Sequence, residues 1–213
     1  MSYTKVFVAD AGSTDGTAEI AHSFADRLDV EVIPGGLPAV GRNNGARRAT
    51  TPYVLFIDAD IEVDDRTLVR RSVELARRKK LHCVTTNIQC PQGRKFDRVL
   101  YGASNIAQQL SRLCRPFSTG MYMLFDRARF NELGGFHEGA LYAEDYLLSK
   151  KVARCRFGII HGHILTTNRR FKNMGYLTVA RLFLTTALNT WNDSFFLRDH
   201  RYWHSKPRTS TGA

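Results

Sequence analysis

The sequence predicts one α/β domain in which helices cover both faces of a mostly parallel sheet. Short apolar strands alternate with helical segments through the first half of the chain. Residues 53–57 (YVLFI) form the continuous apolar run that is typical of a strand buried on both faces. The 213 residues, 43% of them hydrophobic, are enough to build one core. Neither an internal repeat nor a linker divides residues 1–213, so we expect a single domain.

Strands and helices alternate up to residue 87, which extends the β-α-β-α-β order of a parallel sheet. Runs of apolar and β-branched residues predict strands at 5–9, 30–33, 53–57 and 82–87. The helical spacing of apolar residues predicts helices at 14–28, 41–50 and 64–80. We expect the first helix to bury an apolar stripe made of Ile20, Ala21, Phe24, Ala25 and Leu28.

The second half of the chain is less regular. Strands are predicted at 121–125 and 157–160, and helices at 127–133 and 144–154. Apolar residues between Leu177 and Trp191 then outline an amphipathic helix over about residues 176–192. Core packing is the expected role of that helix, and insertion into a lipid interface is the alternative.

Basic residues outnumber acidic ones by 31 to 20, which gives a formal net charge of +11. A charge of this sign attracts nucleic acid, anionic lipid or phosphorylated substrates. The basic clusters accompany no nucleic-acid-binding motif, so we interpret most of them as solvated helix faces. The four cysteines form no C-x-x-C pair, and no leader-like or 18-residue apolar stretch occurs, which predicts a cytoplasmic protein with reduced thiols.

Carboxylates follow two of the predicted strands at their carboxyl ends, where ligands collect in open α/β sheets. Asp10 ends the first strand, and Asp58 and Asp60 end the central one. Paired carboxylates at a sheet edge suit Mg²⁺ or Mn²⁺, which also bind water and the phosphate oxygens of a substrate. The alternative interpretation is that these acids are solvated and cap the helices that follow them.

Five segments resemble, in the same order, the motifs of one known family. They are 8–17 (VADAGSTDGT), 41–49 (GRNNGARRA), 53–60 (YVLFIDAD), 134–138 (GGFHE) and 144–151 (EDYLLSKK). Over roughly residues 5–171 the chain is similar to the family-2 glycosyltransferases, an inverting group with the Rossmann-related GT-A fold. The resemblance implies a donor half at about 1–90 and an acceptor half at about 91–175.

The resemblance implies donor-binding roles for residues at the strand ends. Asp10 would accept hydrogen bonds from the nucleotide base, and Gly12 would let the backbone approach the ligand. Asp58 would contact the ribose. Asp60, together with Asp58, would bind the Mn²⁺ or Mg²⁺ ion that bridges the donor diphosphate.

Two basic segments are also implied to hold the donor. Arg42 and Asn43 would do so from the helix before the central strand. Arg169 and Arg170 lie in a T-N-R-R-F segment like one that follows the last strand in some family members, and they would clamp the leaving diphosphate. A surface salt bridge is the alternative for Arg42, and a basic helix start is the alternative for the arginine pair.

Asp145 is the implied general base, with Glu144 beside it. An inverting transfer needs one carboxylate that takes the proton of the acceptor hydroxyl as the new bond forms. Gly134, Gly135 and Glu138 would form an acceptor-side loop. The alternative for Glu144 and Asp145 is that they only complement a helix N-terminus.

The family pattern is incomplete in two places. Ala11 stands where many relatives have a second aspartate, which predicts one base contact fewer. The strand and helix that usually precede the first motif are not in the sequence. We therefore expect an N-terminally shortened GT-A-like sheet with an exposed edge.

The implied function is inverting transfer of a sugar from a UDP- or GDP-sugar to the hydroxyl of an unidentified acceptor, either a glycan or a lipid-linked molecule. An inactive relative that binds nucleotide sugars or a partner protein is the alternative, and a basic anion-binding module is a third hypothesis. No nucleic-acid partner is expected. The charge and the C-terminal helix add peripheral contact with the inner face of a membrane as an alternative to a wholly cytoplasmic location.

Overall fold

Seven strands and nine α-helices follow one another in residues 4–198, the part of the chain that this computed structural model describes. The strands are β1 (Lys5–Asp10), β2 (Asp29–Pro34), β3 (Tyr53–Ile57), β4 (Ile61–Glu62), β5 (Cys83–Gln89), β6 (Tyr122–Asp126) and β7 (Phe157–Thr166). The helices are α1 (Thr17–His22), α2 (Pro38–Arg48), α3 (Leu68–Lys79), α4 (Lys95–Ser111), α5 (Arg127–Glu132), α6 (Glu144–Ser149), α7 (Arg169–Met174), α8 (Tyr176–Leu188) and α9 (Asp193–Phe196), and a 3₁₀ turn covers Arg154–Arg156. The predicted α/β class is confirmed.

The strands form two sheets. β1 and β2 pair in parallel, and the other five are ordered β3-β6-β5-β7-β4. β5 and β7 run parallel, whereas β6 is antiparallel to both of its neighbours and β4 is antiparallel to β7. The larger sheet is therefore mixed. The irregular segment 112–121 after α4 lets β6 enter from the end where β5 finishes, and no local sequence pattern reveals that reversal.

The larger sheet is covered on both faces. Residues of β6 alternate between two apolar clusters: Tyr122 and Leu124 pack in one, and Met123 and Phe125 pack in the other. This alternation follows from the two-residue period of a strand. Because both sides are buried, a run of consecutive apolar residues is needed here. The same pattern predicted β3 to be a central strand buried on both faces, and that prediction is wrong: β3 lies at the edge of the sheet, and its Ile57 is 45% exposed.

The smaller sheet is joined to the larger one through α2. This helix contacts β1 and β2, and its buried Ala39 and Ala46 pack in the same cluster as Phe56 of β3. In the described part of the chain β1 pairs only with β2 and β3 only with β6. Each of these two strands therefore has one edge without a strand on it, in line with the expected exposed edge.

Two expectations about apolar stripes are wrong. In α1, Ile20 is 61% exposed and Phe24 and Leu28, in the turn after it, are also exposed, because only the two-stranded sheet lies beneath them. In α8, Val179 is buried but Leu177, Leu184 and Leu188 face solvent, so the predicted core packing fails for most of the stripe.

The longest helix, α4, was not predicted at all. Among residues 4–198 no helix combines the length and the apolar character that crossing a bilayer requires.

Candidate active site

Arg42 connects carboxylates from distant parts of the chain. It lies in α2 with its side chain 14% exposed, and its guanidinium donates to Asp58 Oδ1 at 2.6 Å and to Glu144 Oε1 at 2.5 Å. Burial by itself lowers the pKa of Arg42, but the charges of Asp58 and Glu144 raise it, and the net shift is upward. Arg42 therefore forms an internal ion pair with two partners, not the surface salt bridge that was its alternative interpretation.

Gly120 lies against the Arg42 guanidinium. Its carbonyl accepts from Arg42 at 3.3 Å, and its N–H donates to Asp145 Oδ2 at 2.5 Å. A Cβ at this position would lie 2.6 Å from Arg42 Nη2, so a side chain here would displace the guanidinium. Glycine at residue 120 thus lets the backbone contact both the arginine and the predicted base.

Asp145 lies in the first turn of α6, two residues after Ala143, whose backbone is strained. Ala143 has a left-handed φ of 52°, which is costly for a residue with a Cβ and is found mostly at functional sites. The N–H of Tyr146 donates to Asp145 Oδ1 at 2.7 Å. Burial, and then the charge of Glu144, raise the pKa of Asp145 to about 7 against the opposing charge of Arg42. A carboxyl that titrates near neutrality is suited to general-base chemistry.

The acceptor-side loop is anchored by Asn43. The Asn43 amide nitrogen donates to the Phe136 carbonyl at 2.8 Å and to Glu138 Oε1 at 2.9 Å, and its oxygen accepts from the Phe136 N–H at 3.0 Å. Hydrogen bonds from Asn43 and Arg47 lower the pKa of Glu138. Gly135, with a φ of 67°, passes so close that a Cβ would lie 2.9 Å from the Asn43 oxygen. Asn43 therefore holds the acceptor-side loop, and the contact with the donor that the resemblance implied for it stays a prediction.

Asp58 and Asp60 stand directly after β3, and their side chains are 27% and 40% exposed. Asp60 Oδ2 accepts from Arg169 at 2.9 Å, which brings the predicted diphosphate clamp to the predicted metal ligand. The side chain of Arg170 lies outside the described residues. Asp58 does not contact Arg169 but is held by Arg42.

The donor set at Asp58 and Asp60 fits a metal that is shared with a substrate. Within residues 4–198 no group of three or more His, Cys, Asp and Glu side chains could hold a metal ion. Mg²⁺ commonly binds through one or two carboxylates and completes its shell with waters and phosphate oxygens. Half-exposed carboxylates beside an arginine are suited to that arrangement, because the phosphate and the ion would arrive together.

The loop after β1 is more open than the Arg42 region. Asp10 Oδ2 accepts from the N–H groups of Gly12 at 3.1 Å and Ser13 at 3.0 Å, and the hydrogen bonds from Ser13 and Gly12 lower the Asp10 pKa. The Asp10 carbonyl accepts from the Gly35 N–H at 2.7 Å, which ties the loop to the end of β2. No atom lies within 4 Å of the place where a Cβ of Gly12 would be. The space above Gly12 is therefore open to a ligand.

Arg42, Asp58, Glu144 and Asp145, here called the Arg42 cluster, form one wall of a cavity of about 130 Å³. The other walls are mainly apolar and come from α4, α6, α8, β5 and the segments that precede β6 and α6. They include Tyr101 of α4, Tyr146 of α6, and Val179 and Phe183 of α8. Sequence reasoning missed the residues of α4, although the helical spacing of its apolar residues was a usable signal. A charged wall opposite apolar walls suits a ligand that has a polar reacting end and an apolar body.

An α/β sheet with carboxylates at its strand ends and a largely buried Asp–Arg–Glu cluster is consistent with one class of protein, the glycosyltransferases of the GT-A fold. The chain belongs to glycosyl transferase family 2, whose family model matches residues 2–137. The mannosyltransferase PcManGT from Pyrobaculum calidifontis, solved in complex with GDP-Man and Mn²⁺, superposes with a TM-score of 0.65 at 20% identity. That match covers 90% of this chain and 55% of PcManGT, and it shows the shared fold.

Two further proteins are similar over most of the chain. Residues 1–349 of S. aureus TarS, solved in complex with UDP, match with a TM-score of 0.58 at 20% identity over 76% of this chain and 51% of that one. The poly-beta-1,6-N-acetyl-D-glucosamine synthase of Staphylococcus epidermidis is 26% identical over 164 residues, which is 70% of this chain. The chain spans 38% of that synthase and about half of the solved structures.

Proposed function

We propose that this domain catalyses metal-assisted, inverting transfer of a sugar from a UDP- or GDP-sugar to an acceptor hydroxyl. The observation that carries the proposal is the Arg42 cluster. In it one buried arginine joins Asp58, at the donor end of β3, to Glu144, beside the predicted base. The donor and acceptor halves of the chain meet at this arginine, which is where the sugar must pass from one substrate to the other.

Asp145 is the general base of the proposed reaction. Its carboxylate takes the proton of the acceptor hydroxyl while the oxygen attacks the anomeric carbon from the face opposite the leaving diphosphate. The positive charge of Arg42 favours the ionised form of Asp145. The Gly120 N–H donates to its carboxylate and orients it. Glu144, paired with Arg42 at 2.5 Å, keeps that arginine in place and is not free to move toward an acceptor.

The donor diphosphate is proposed to lie between Asp60 and Arg169. Asp60 and Asp58 would hold a Mn²⁺ or Mg²⁺ ion together with phosphate oxygens, and the ion, when bound, offsets the negative charge of the leaving nucleoside diphosphate. Arg169 donates to the same phosphates once they replace Asp60 as its partner. UDP bound to TarS and GDP-Man with Mn²⁺ bound to PcManGT support a nucleotide-sugar donor and a divalent ion by similarity of fold.

The acceptor is proposed to enter the cavity beside Asp145. The apolar walls from Tyr101, Val179 and Phe183 favour a lipid-linked acceptor over a bare glycan, because a sugar chain would leave most of these walls without an apolar contact. No feature of the described residues favours a nucleic-acid partner.

The test is the turnover of Asp145→Asn against a matched control, Asp126→Asn. Asp126 caps α5 through the Arg129 N–H, and asparagine caps as well as aspartate does. Loss of a general base costs on the order of 10² to 10⁴ in rate, so Asp145→Asn should lose sugar transfer by that factor and keep its affinity for UDP or GDP. The control should keep both.

The contradicting result is near-normal transfer by Asp145→Asn. If the wild-type domain binds the nucleotide but transfers no sugar to water or to any acceptor, the alternative of an inactive nucleotide-sugar-binding relative holds instead.

A further inference from the structure

Helix α4 presents its apolar side to solvent. Phe96, Val99, Ile106 and Leu110 recur at helical spacing along one face and are 49%, 63%, 62% and 58% exposed, and Leu113 just beyond the helix is 70% exposed. An amphipathic helix on a sheet normally turns this face inward. The apolar stripe of α4 is therefore without a covering layer in the described part of the chain.

The inward face of α4 is largely polar. Asp97 and Gln108 are buried there; the Gln108 amide donates to the Thr86 carbonyl at 3.0 Å, and Asp97 accepts from the Asn168 amide at 2.9 Å. These buried hydrogen bonds fix the rotation of the helix, because turning it over would leave them unmade. The outward position of the apolar stripe is thus built into the fold.

Helix α8 lies alongside α4 and adds a second apolar stripe. The ring of Tyr176, at its start, contacts that of Phe96 with centroids 5.1 Å apart, and beyond its end Arg115 stacks on the ring of Trp191 at 3.8 Å. Leu177, Leu184, Leu188 and Trp191 are exposed by 87%, 61%, 71% and 76%. The exposed stripes of the two helices are here called the α4–α8 face. Adjacent apolar stripes that are exposed to this degree mark an interaction surface.

The charge around the α4–α8 face is of one sign. Lys95, Arg98 and Arg181 are exposed on the two helices, Arg94 and Arg112 flank α4, and the only acidic residue in either helix, Asp97, is buried. Within residues 4–198 no ion pair joins Lys95, Arg98 or Arg112 to an acidic side chain. Apolar stripes bordered by cations without acids match the interface of an anionic bilayer, where apolar groups insert and cations meet headgroups.

We propose that the α4–α8 face docks this domain onto the surface of a membrane that contains anionic lipid. The helices lie in the plane of the interface with their stripes among the acyl chains. The proposal does not depend on catalysis, because vesicle binding needs neither donor, metal nor turnover.

Co-sedimentation of the full chain with vesicles tests the α4–α8 face. Two isoleucines of nearly equal exposure, one on this face and one outside it, are each replaced by glutamate. Ile106 on α4 is 62% exposed, and Ile20 on α1 is 61% exposed. With vesicles of phosphatidylcholine and phosphatidylglycerol we expect Ile106→Glu to weaken binding at least about tenfold, because it places a charge in the acyl region. Ile20→Glu should bind like the wild type. Equal binding by the two variants would overturn the proposal.

A second comparison of variants tests the cations that border the α4–α8 face. Each cation near an anionic surface contributes roughly a fivefold gain in binding, so Arg98→Gln with Arg112→Gln should lower it by about 25-fold. The exposed pair on α3, Arg77→Gln with Arg78→Gln, should have a smaller effect. Absence of vesicle binding by the wild type would contradict docking, and self-association that Ile106→Glu abolishes would then identify a second copy of the chain as the occupant of the face. Equal binding to vesicles of phosphatidylcholine alone would contradict the part assigned to anionic lipid.

Discussion

The Arg42 cluster and the Asp10 loop sit at the two ends of the proposed donor site and are built in opposite ways. The Arg42 side chain is only 14% exposed, and its partners follow β3 and begin α6, 16 and 102 residues away in sequence. Asp10 hydrogen-bonds to N–H groups two and three residues away, beside open space. The acceptor end is therefore held by tertiary structure, and the nucleotide end is shaped by a local turn.

This difference predicts how the two regions respond to substitution. Breaking the cluster should cost stability and turnover together, because uncompensated charges would remain buried. Changing the Asp10 loop should cost affinity for the nucleotide and little else.

Arg42→Ala is expected to have the largest effect on stability. Removing one partner of a buried ion pair costs about 3 to 5 kcal/mol, and here two acids lose their partner. Arg47→Ala is the control, since Arg47 and Glu138 are 62% and 42% exposed and an ion pair this exposed contributes little to stability. Chemical unfolding of both variants measures the difference. Equal losses of unfolding free energy in the two variants would mean that the Arg42 cluster contributes no more to stability than an exposed ion pair.

Asp60→Asn should abolish the metal dependence of donor binding. The amide is a weaker ligand for Mn²⁺ or Mg²⁺ than the carboxylate, so we expect affinity for UDP or GDP in the presence of the ion to fall about tenfold or more. Calorimetry with the ion and with a chelator measures it. Asp64→Asn, four residues further along, should keep the wild-type response, and the idea fails if both variants behave alike.

Asp10→Asn should have the smallest effect of the three. Asparagine can still accept from the Gly12 and Ser13 N–H groups, so the loop keeps its shape. The loss of the negative charge removes a charge-assisted contact with the base, and we expect donor affinity to fall by roughly threefold to tenfold with unchanged unfolding. A loss of stability comparable to that of Arg42→Ala would erase the contrast between the two regions.

The sequence was sufficient for the features that rest on local pattern. The bounds of β3 were predicted to the residue, and the acids at its end were placed correctly. An apolar strand and the polar residues that end it are consecutive in the sequence, so the pattern is local. The start of α6 at Glu144 was also found.

The sequence was insufficient where a residue's role depends on distant partners. The pairing of Arg42 with Glu144, the anchoring of Asn43 on the acceptor-side loop and the antiparallel entry of β6 all join segments far apart in the chain. For α1 and α8 the apolar spacing revealed a helix but not which side would be covered. Periodicity defines a face, and only the packing of other elements decides whether that face is buried.

The pH dependence of kcat/KM tests the central claim, that Asp145 accepts the proton of the acceptor. Burial raises its pKa to about 7, and a base works only when ionised, so the rate should be constant above that pH and fall tenfold per unit below it. In Asp145→Asn the residual rate should lose this inflection, while Asp126→Asn should keep it. A wild-type rate that is flat from pH 5 to 8, or an unchanged inflection in Asp145→Asn, would contradict the account.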